Sequence, residues 1–319
     1  GLTGVYVGSA FVRLELFTSI SLIFLSSIGL SIITKDILSY KKQLQPTRNK
    51  IIKISYVGGI LILMILPLIF PASNWVSILD APVTILNGGT GYKVATNDWK
   101  ESLEWIKLNT PSDSIILSWW DYGYWITTMS ERTTVVDNST IDSKQIQKVA
   151  NILFSSPDDA WNMLQETGSD YVVIFVAGQK FQTTDENLLY LLEGGGDESK
   201  KMWFMKIAGV PIEKYLHSDG FSGTDYFWNE TLLGKMIPFS LVAYTHPNNQ
   251  IFPTYVPGFI GIYTNDIKYP EDGNGPLKLV YASSSFTEQK PGVMIGVFVY
   301  EVNKNYISSQ NLSDSKTFE

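Results

Sequence analysis

Residues 114–125 read Ser-Ile-Ile-Leu-Ser-Trp-Trp-Asp-Tyr-Gly-Tyr-Trp, an apolar stretch running straight into aromatic rings gathered around one carboxylate. Residues 114–118 predict a short buried strand, and the cluster follows at its C-terminal end. Trp119, Trp120, Tyr122, Tyr124 and Trp125 supply rigid apolar faces with polar tips. Asp121 supplies a charge-assisted acceptor and Gly123 a flexible corner. A small hydroxyl group fits between such faces and is recognised by such a carboxylate. An aromatic core strand closed by an Asp-Gly turn gives a similar pattern. Two adjacent tryptophans on a strand, however, point to opposite faces, which a core alone rarely needs.

Working outward, the pattern alternates. Asp98 with Glu101 three residues on predicts a capping box and a helix to about residue 108, ended by Asn109, Thr110 and Pro111. Residues 133–136 form a β-branched strand closed by Asp137 and Asn138. Helices are expected over 143–154 and 157–166, the second with Ser156 as N-cap, Pro157 in the first position and Asp158 and Asp159 in the first turn. Residues 171–176 are a strongly apolar strand. Strands alternating with helices predict an α/β domain over 98–237 with a mostly parallel sheet. In open sheets of this kind, sites form beyond the C-terminal strand ends, where the aromatic cluster lies.

Gly194-Gly195-Gly196-Asp197 marks a break before a helix over about 198–207. Lys200, Phe204 and Ile207 share one face of it and Asp197 stands at its N-terminus as a cap. Taken alone, this describes an ordinary helix. From 238 onward, short strands rich in Tyr, Val, Ile, Pro and Gly predict a small β-rich peripheral appendage over 238–319, with a polar tail beyond about 305.

The 319 residues exceed the usual single-domain size, so more than one unit is expected. A net charge of −7 argues against a nucleic-acid partner. The absence of cysteine excludes disulfides, thiolate metal sites and cysteine nucleophiles, while leaving the compartment open.

The apolar residues concentrate at the start. Runs over about 10–33 and 54–70 approach the roughly 20 residues that cross a bilayer core, and Pro67 is tolerated there. Between them Lys35, Lys41, Lys42, Arg48, Lys50 and Lys53 face the single acid Asp36. By the positive-inside rule this loop is cytoplasmic, so the Arg13 end and everything after about 71 are external. Trp75 is expected as an interface anchor. Residues 1–75 are thus read as the C-terminal part of a transmembrane bundle, and 76–97, with the Gly-rich 87–91, as a linker. Arg13 and Glu15 fall near the outer leaflet. Snorkelling or a local ion pair is the plain account of them, although an arginine at that depth suits a phosphate. The chain starts at Gly1 and runs into an apolar segment without a charged n-region or cleavage site. No signal peptide is predicted, and a piece of a longer protein is expected.

With these features in place, the chain resembles the catalytic subunit of oligosaccharyltransferases, the STT3/AglB family. Trp119-Trp120-Asp121-Tyr122-Gly123 matches the family signature completely. The similarity runs on through residues 132–140, 170–174 and Gly195-Gly196-Asp197, and back to Val12-Arg13-Leu14. The family's second motif, Asp-x-x-Lys followed by Met and Ile, is met by Asp197, Lys200 and Ile207, with Phe204 where Met is usual. The lack of cysteine and the β-rich tail look more archaeal than eukaryotic.

The resemblance implies transfer of an oligosaccharide from a dolichol-phosphate-type lipid carrier to asparagine in Asn-x-Ser/Thr of an acceptor polypeptide. It implies that Trp119, Trp120 and Asp121 bind the acceptor's Ser or Thr. Asp197 and Lys200 would border that pocket, Ile207 would touch the acceptor's methyl group, and Arg13 would contact the carrier phosphate. It also implies a divalent cation, Mg or Mn, held by carboxylates outside this chain, in the N-terminal transmembrane portion of the same enzyme. This portion is therefore expected to recognise acceptor without catalytic or metal-binding residues of its own.

A different reading is a non-catalytic, membrane-anchored external module that binds peptides or proteins. A metal-dependent hydrolase using Asp121 finds no support around His217 or His246. Asn138, Asn229 and Asn311 each begin an Asn-x-Ser/Thr sequon and are expected as possible glycosylation sites.

Overall fold

The computed structural model describes residues 15–39, 46–70, 82–183, 185–246 and 250–308. Arg13, Trp75 and Asn311 lie outside the described residues. The chain divides into two compact units, residues 1–80 and 81–319.

Among its described residues the first unit holds a helix pair, α1 (Glu15–Ser39) and α2 (Pro46–Ile69). By length and composition both suffice to cross a membrane, over Thr18–Ser39 and Thr47–Leu66. Side chains such as Phe24, Leu63 and Met64 are exposed, as expected of helices apolar all round that meet lipid or further helices. The helices run well into the stretch that the charge pattern assigns to a loop: Lys35 and Asp36 are on α1, and Arg48, Lys50 and Lys53 on α2. Lysine and arginine are good helix formers, so a helix need not stop where its apolar run does. The pair is tied by a Thr34–Tyr56 hydroxyl contact of 2.8 Å and by Lys53, whose ammonium donates to the carbonyl of Leu38.

The second unit is built on one mixed sheet. Its centre is β3 (Tyr171–Gln182), whose residues 172–178 are all buried. Because side chains alternate along a strand, an unbroken buried run means that both faces of the sheet are covered. Along one edge β3 pairs parallel with β1 (Ile115–Ser118) and then antiparallel with β4 (Leu188–Leu192). Along the other edge it pairs antiparallel with β9 (Gly292–Val302), from Tyr171 opposite Glu301 to Lys180 opposite Gly292. β2 (Thr133–Thr134) lies parallel outside β1, and β8 (Leu277–Ala282) lies antiparallel outside β9. β5 (Phe239–Thr245), β6 (Ile251–Phe252) and β7 (Ile260–Asn265) extend the sheet from β4 through antiparallel pairs.

The expected mostly parallel sheet is therefore corrected: among the described strands only the β1–β2 and β1–β3 pairs are parallel. A both-faces-buried strand such as β3 reads the same whichever way its neighbours run, and the helix–strand alternation stops after it. The separate appendage over 238–319 is not seen either. β9 is a full-length partner of the central strand, and Lys268 donates to the carbonyls of Ile237 (2.9 Å) and Phe239 (2.6 Å). Strand pairing between residues so far apart leaves no local signal in the sequence.

The helices stand around this sheet: α3 (Asp98–Asn109), α4 (Ser143–Phe154) and α5 (Pro157–Thr167). Asp142 caps α4 by accepting from the amides of Lys144 and Gln145, and Ser156 caps α5 through the amide of Asp159. The capping box expected for α3 does not form. Asp98 instead accepts from the amide of Ser285 at 2.8 Å, and Glu101 takes the Ser284 hydroxyl at 2.6 Å. Both carboxylates thus grip the segment that leads into β9.

Phe298 is fully buried in β9, whereas Val242 is 48% exposed. Phe298→Ala should lower the stability of the whole second unit by about 3–5 kcal/mol, and Val242→Ala by less than about 0.5 kcal/mol. Urea unfolding followed by tryptophan fluorescence checks this. A Phe298→Ala protein with an unchanged main transition would show that β9 is peripheral after all.

Candidate functional site

The site grows from the C-terminal end of β1. Beyond Ser118 the chain leaves the sheet with Trp119 extended, turns tightly over Trp120–Tyr122, and winds on through Gly123–Trp125. Gly123 has an ordinary right-handed backbone, φ −55°. It is not the flexible corner expected of it. A β-carbon there would stand 2.5 Å from the Asp137 Cα and 2.7 Å from the Val136 carbonyl oxygen, so glycine is needed for close approach. The segment after β2 then clamps the turn. Asn138 donates from Nδ2 to the Asp121 carbonyl at 2.8 Å and accepts from the Tyr124 amide at 3.0 Å. Asn138 was expected as a glycosylation acceptor, but its side-chain amide is engaged in holding this turn. Of the other sequons, Asn229 is exposed on a short helix, while its Thr231 is fully buried with its hydroxyl capping the next helix at the Gly234 amide, 3.0 Å away.

The second wall is the turn Asp197–Lys200, followed by α6 (Lys201–Ala208). Gly196 brings this turn flat against β3, since a β-carbon would lie 2.6 Å from the Ala177 nitrogen and 2.8 Å from the Phe175 carbonyl oxygen. Asp197 does not cap the helix as expected. Its Oδ2 accepts from the Phe175 amide of β3 at 2.8 Å and its Oδ1 from the Tyr122 hydroxyl at 2.7 Å. Lys201, buried beside the Phe221 and Phe227 rings, donates to the Glu198 carbonyl at 2.7 Å and to its carboxylate, pinning the turn from within.

The two walls meet at Lys200. Its ammonium donates to Asp121 Oδ2 at 2.6 Å and to the Tyr122 hydroxyl oxygen at 3.0 Å, and it lies 4.8 Å from the centre of the Tyr122 ring. Lys200 and Asp121 are partly open, with side chains 23% and 29% exposed. Within the described residues Asp121 Oδ1 has no hydrogen-bond partner, so one carboxylate lone-pair site remains for an incoming donor.

The six residues predicted for the site thus fall into layers. Trp120, Asp121 and Lys200 face the surface. Trp119 is buried, its ring 4.1 Å from that of Phe204 and 6.2 Å from that of Trp120. Trp119 and Phe204 together form a floor, and the ring of Phe204 fills it against Phe154. Asp197 does not border a pocket; it is 1% exposed and stands behind Tyr122. Ile207 is half-buried against the core, one turn beyond Phe204, outside the hydrogen-bonded group.

Burial raises the Asp197 carboxyl from 3.8 to about 6, outweighing the nearby Lys200 charge and the donors from Phe175 and Tyr122. Burial first, and Asp197 second, push the Tyr122 hydroxyl well above its usual value, so it keeps its proton and donates. Two contributors escaped the sequence: the Tyr122 hydroxyl as a bridge and Asn138 as a clamp. Tyr122 showed its polar tip in the motif, but its partner lies 75 residues on. Asn138 reads in the sequence as the close of a strand and the start of a sequon, neither of which announces a clamp.

Between pH 4 and 6 the native chain holds a proton on Asp197 that the unfolded chain releases. Asp197 therefore costs stability progressively as pH rises through this window, by on the order of 3 kcal/mol, and no further above it. Relative to Asp197→Asn, the wild type should lose stability from pH 4 to 6 and then run level. A difference between the two unfolding free energies that does not change with pH would contradict this.

Comparison with known proteins finds similar sequences and structures. The STT3/PglB/AglB core domain model matches residues 112–186, which hold the strand, the aromatic turn and the Asn138 clamp. The chain is 29% identical over 208 residues to the dolichyl-diphosphooligosaccharide–protein glycosyltransferase subunit STT3B of Oryza sativa subsp. japonica, covering 64% of this chain and 27% of the relative. It is 26% identical over 303 residues to the corresponding STT3 subunit of Dictyostelium discoideum, covering 90% of this chain and 39% of that relative. The chain thus spans well under half the length of both. Among solved structures, the C-terminal globular domain of an Archaeoglobus fulgidus oligosaccharyltransferase aligns at 24% identity and a TM-score of 0.32, over 54% of this chain and 98% of that one. The A. fulgidus AglB in complex with an inhibitory peptide and a dolichol-phosphate aligns at 12% identity and a TM-score of 0.35, over 88% of this chain and 32% of that one. The signature turn thus lies inside the stretch, residues 112–186, that is similar to the STT3/PglB/AglB core domain.

Proposed function

We propose that the chain is the C-terminal part of a membrane oligosaccharyltransferase, an enzyme that transfers a lipid-linked oligosaccharide to asparagine in Asn-x-Ser/Thr. Its own task is to bind the acceptor's Ser or Thr. The observation that carries this reading is the partly open Asp121–Lys200 pair beside Trp120, with Asp121 Oδ1 available to a donor. An ionised carboxylate only accepts, so it selects for a hydroxyl and against a plain methyl. The Trp119–Phe204 floor keeps water from the underside, which strengthens that bond. Lys200 neutralises the carboxylate without consuming both its oxygens. Ile207 is assigned to the acceptor's methyl group, as the family resemblance suggests.

In the same proposal, α1 and α2 belong to a multi-pass bundle in the cell membrane, with residues after about 71 on the external face. Arg13 contacts the phosphate of the carrier lipid, a dolichol-phosphate type. Amide nitrogen is a weak nucleophile and a phosphate leaving group needs its charge stabilised, chemistry that a divalent cation, Mg or Mn, supplies when bound. Among the described residues no group of three or more His, Asp or Glu gathers to hold one. As the family resemblance suggests, the cation's ligands are assigned to the N-terminal transmembrane portion of the same enzyme, and no step runs through the residues described above.

A hydrogen bond to a charged acceptor contributes about 1.5–3 kcal/mol, so the full-length protein should bind an Asn-Ala-Thr peptide roughly 10- to 100-fold more tightly than Asn-Ala-Ala. Asp121→Ala should bring that ratio down to the roughly few-fold that the methyl group alone contributes. Isothermal titration of both peptides with both proteins tests this. Equal affinity in all four combinations would sink the assignment.

A further inference from the structure

Asp197 belongs to a family motif, yet its placement bars it from an acceptor. It is 1% exposed, and its two oxygens are taken by the Phe175 amide and the Tyr122 hydroxyl. What it does reach is Tyr122, and Tyr122 reaches Lys200.

The hydrogen-bond directions along this path are fixed by chemistry. A carboxylate in this setting accepts, so the single Tyr122 proton points to Asp197. The tyrosine oxygen then turns a lone pair to Lys200, which has only donors to offer. The ring cannot shift to avoid this, because it is wedged among Trp99, Phe175 and Trp125, with centroids 4.7, 6.0 and 6.3 Å away. Lysine is a flexible point charge on a long stem, and a partly open one adopts many poses unless something holds it.

We propose that Asp197 and Tyr122 are positioning residues. Asp197 orients the Tyr122 hydroxyl, whose oxygen holds the Lys200 ammonium over Oδ2 of Asp121, so that Oδ1 stays open for the acceptor's hydroxyl. This rests on the reading of Asp121 as the hydroxyl acceptor. Without the Tyr122 oxygen, Lys200 is free to straddle both carboxylate oxygens and compete with the acceptor. Without Asp197, the tyrosine proton loses its partner and turns toward the ammonium, where donor meets donor. The Lys200 contact with the Tyr122 ring survives loss of the hydroxyl, so Tyr122→Phe isolates the hydroxyl bridge.

Two readouts on the full-length protein test this. The first is the rate at which Lys200 is reductively methylated, followed by peptide mass spectrometry. Tyr122→Phe and Asp197→Asn should each raise that rate about fivefold or more, and the double variant should exceed neither, because the two act through one path. Rates within twofold of wild type for Tyr122→Phe overturn the proposal. Where Asp197→Asn fails to fold, Tyr122→Phe alone decides. The second readout is the Asn-Ala-Thr to Asn-Ala-Ala affinity ratio, which Tyr122→Phe should lower about tenfold, whereas a purely structural loss would weaken both peptides alike. An unchanged ratio in Tyr122→Phe, alongside its loss in Asp121→Ala, also overturns the proposal. A ratio untouched by Asp121→Ala contradicts the acceptor reading instead, and the methylation rates still judge the relay on their own.

Discussion

The contact on which the site depends is the 2.6 Å bond between Lys200 and Asp121, because it joins two segments that share no sequence neighbourhood. Each is delivered by β3. Parallel pairing of β1 with Tyr171–Val173 sets where the aromatic turn leaves the sheet. The Phe175 amide, two residues further along the same strand, fixes Asp197 and with it the turn bearing Lys200. A single strand therefore gauges the distance between the two walls. The pairing of β3 with β9 along its other edge holds that gauge rigid.

The energetics of the two ion pairs here differ in kind. Lys200 and Asp121 are partly solvated, and a pair of this sort contributes at most about 1 kcal/mol to stability. Its value is directional, since it occupies one carboxylate oxygen and leaves the other. Glu198 and Lys201 are 3% and 2% exposed, and breaking such a buried pair by removing one partner is costly. The buried pair holds the turn, and the open pair faces solvent. Their adjacency in sequence lets one short turn serve both ends.

Much of this was legible in the sequence where the signal was local. The cap at Ser156 marks the start of α5, and the apolar run into Trp119 marks β1. The Trp119–Gly123 motif and the Asp197–Lys200 spacing named residues that the fold does bring together. Non-local facts were not legible. Nothing near residues 171–182 announces that the partner strand is 292–302, so the sequence predicts a mostly parallel sheet with residues 292–302 in a peripheral appendage. The same limit applied in the site. Asp98 and Asp197 both look like helix caps by spacing, but each accepts from an amide of a distant segment. Gly123 and Gly196 look like flexible joints, but each is small because backbone passes within 3 Å of where its β-carbon would sit.

The central claim is that Asp121 reads a hydroxyl. It is tested most directly by comparing Asn-Ala-Thr with Asn-Ala-Val on the full-length protein, since valine keeps the shape of threonine and lacks only the hydroxyl. The account predicts that valine weakens binding by at least about tenfold, the contribution of a charge-assisted hydrogen bond. Equal affinities for the two peptides would show that the pocket reads shape alone, and would contradict it.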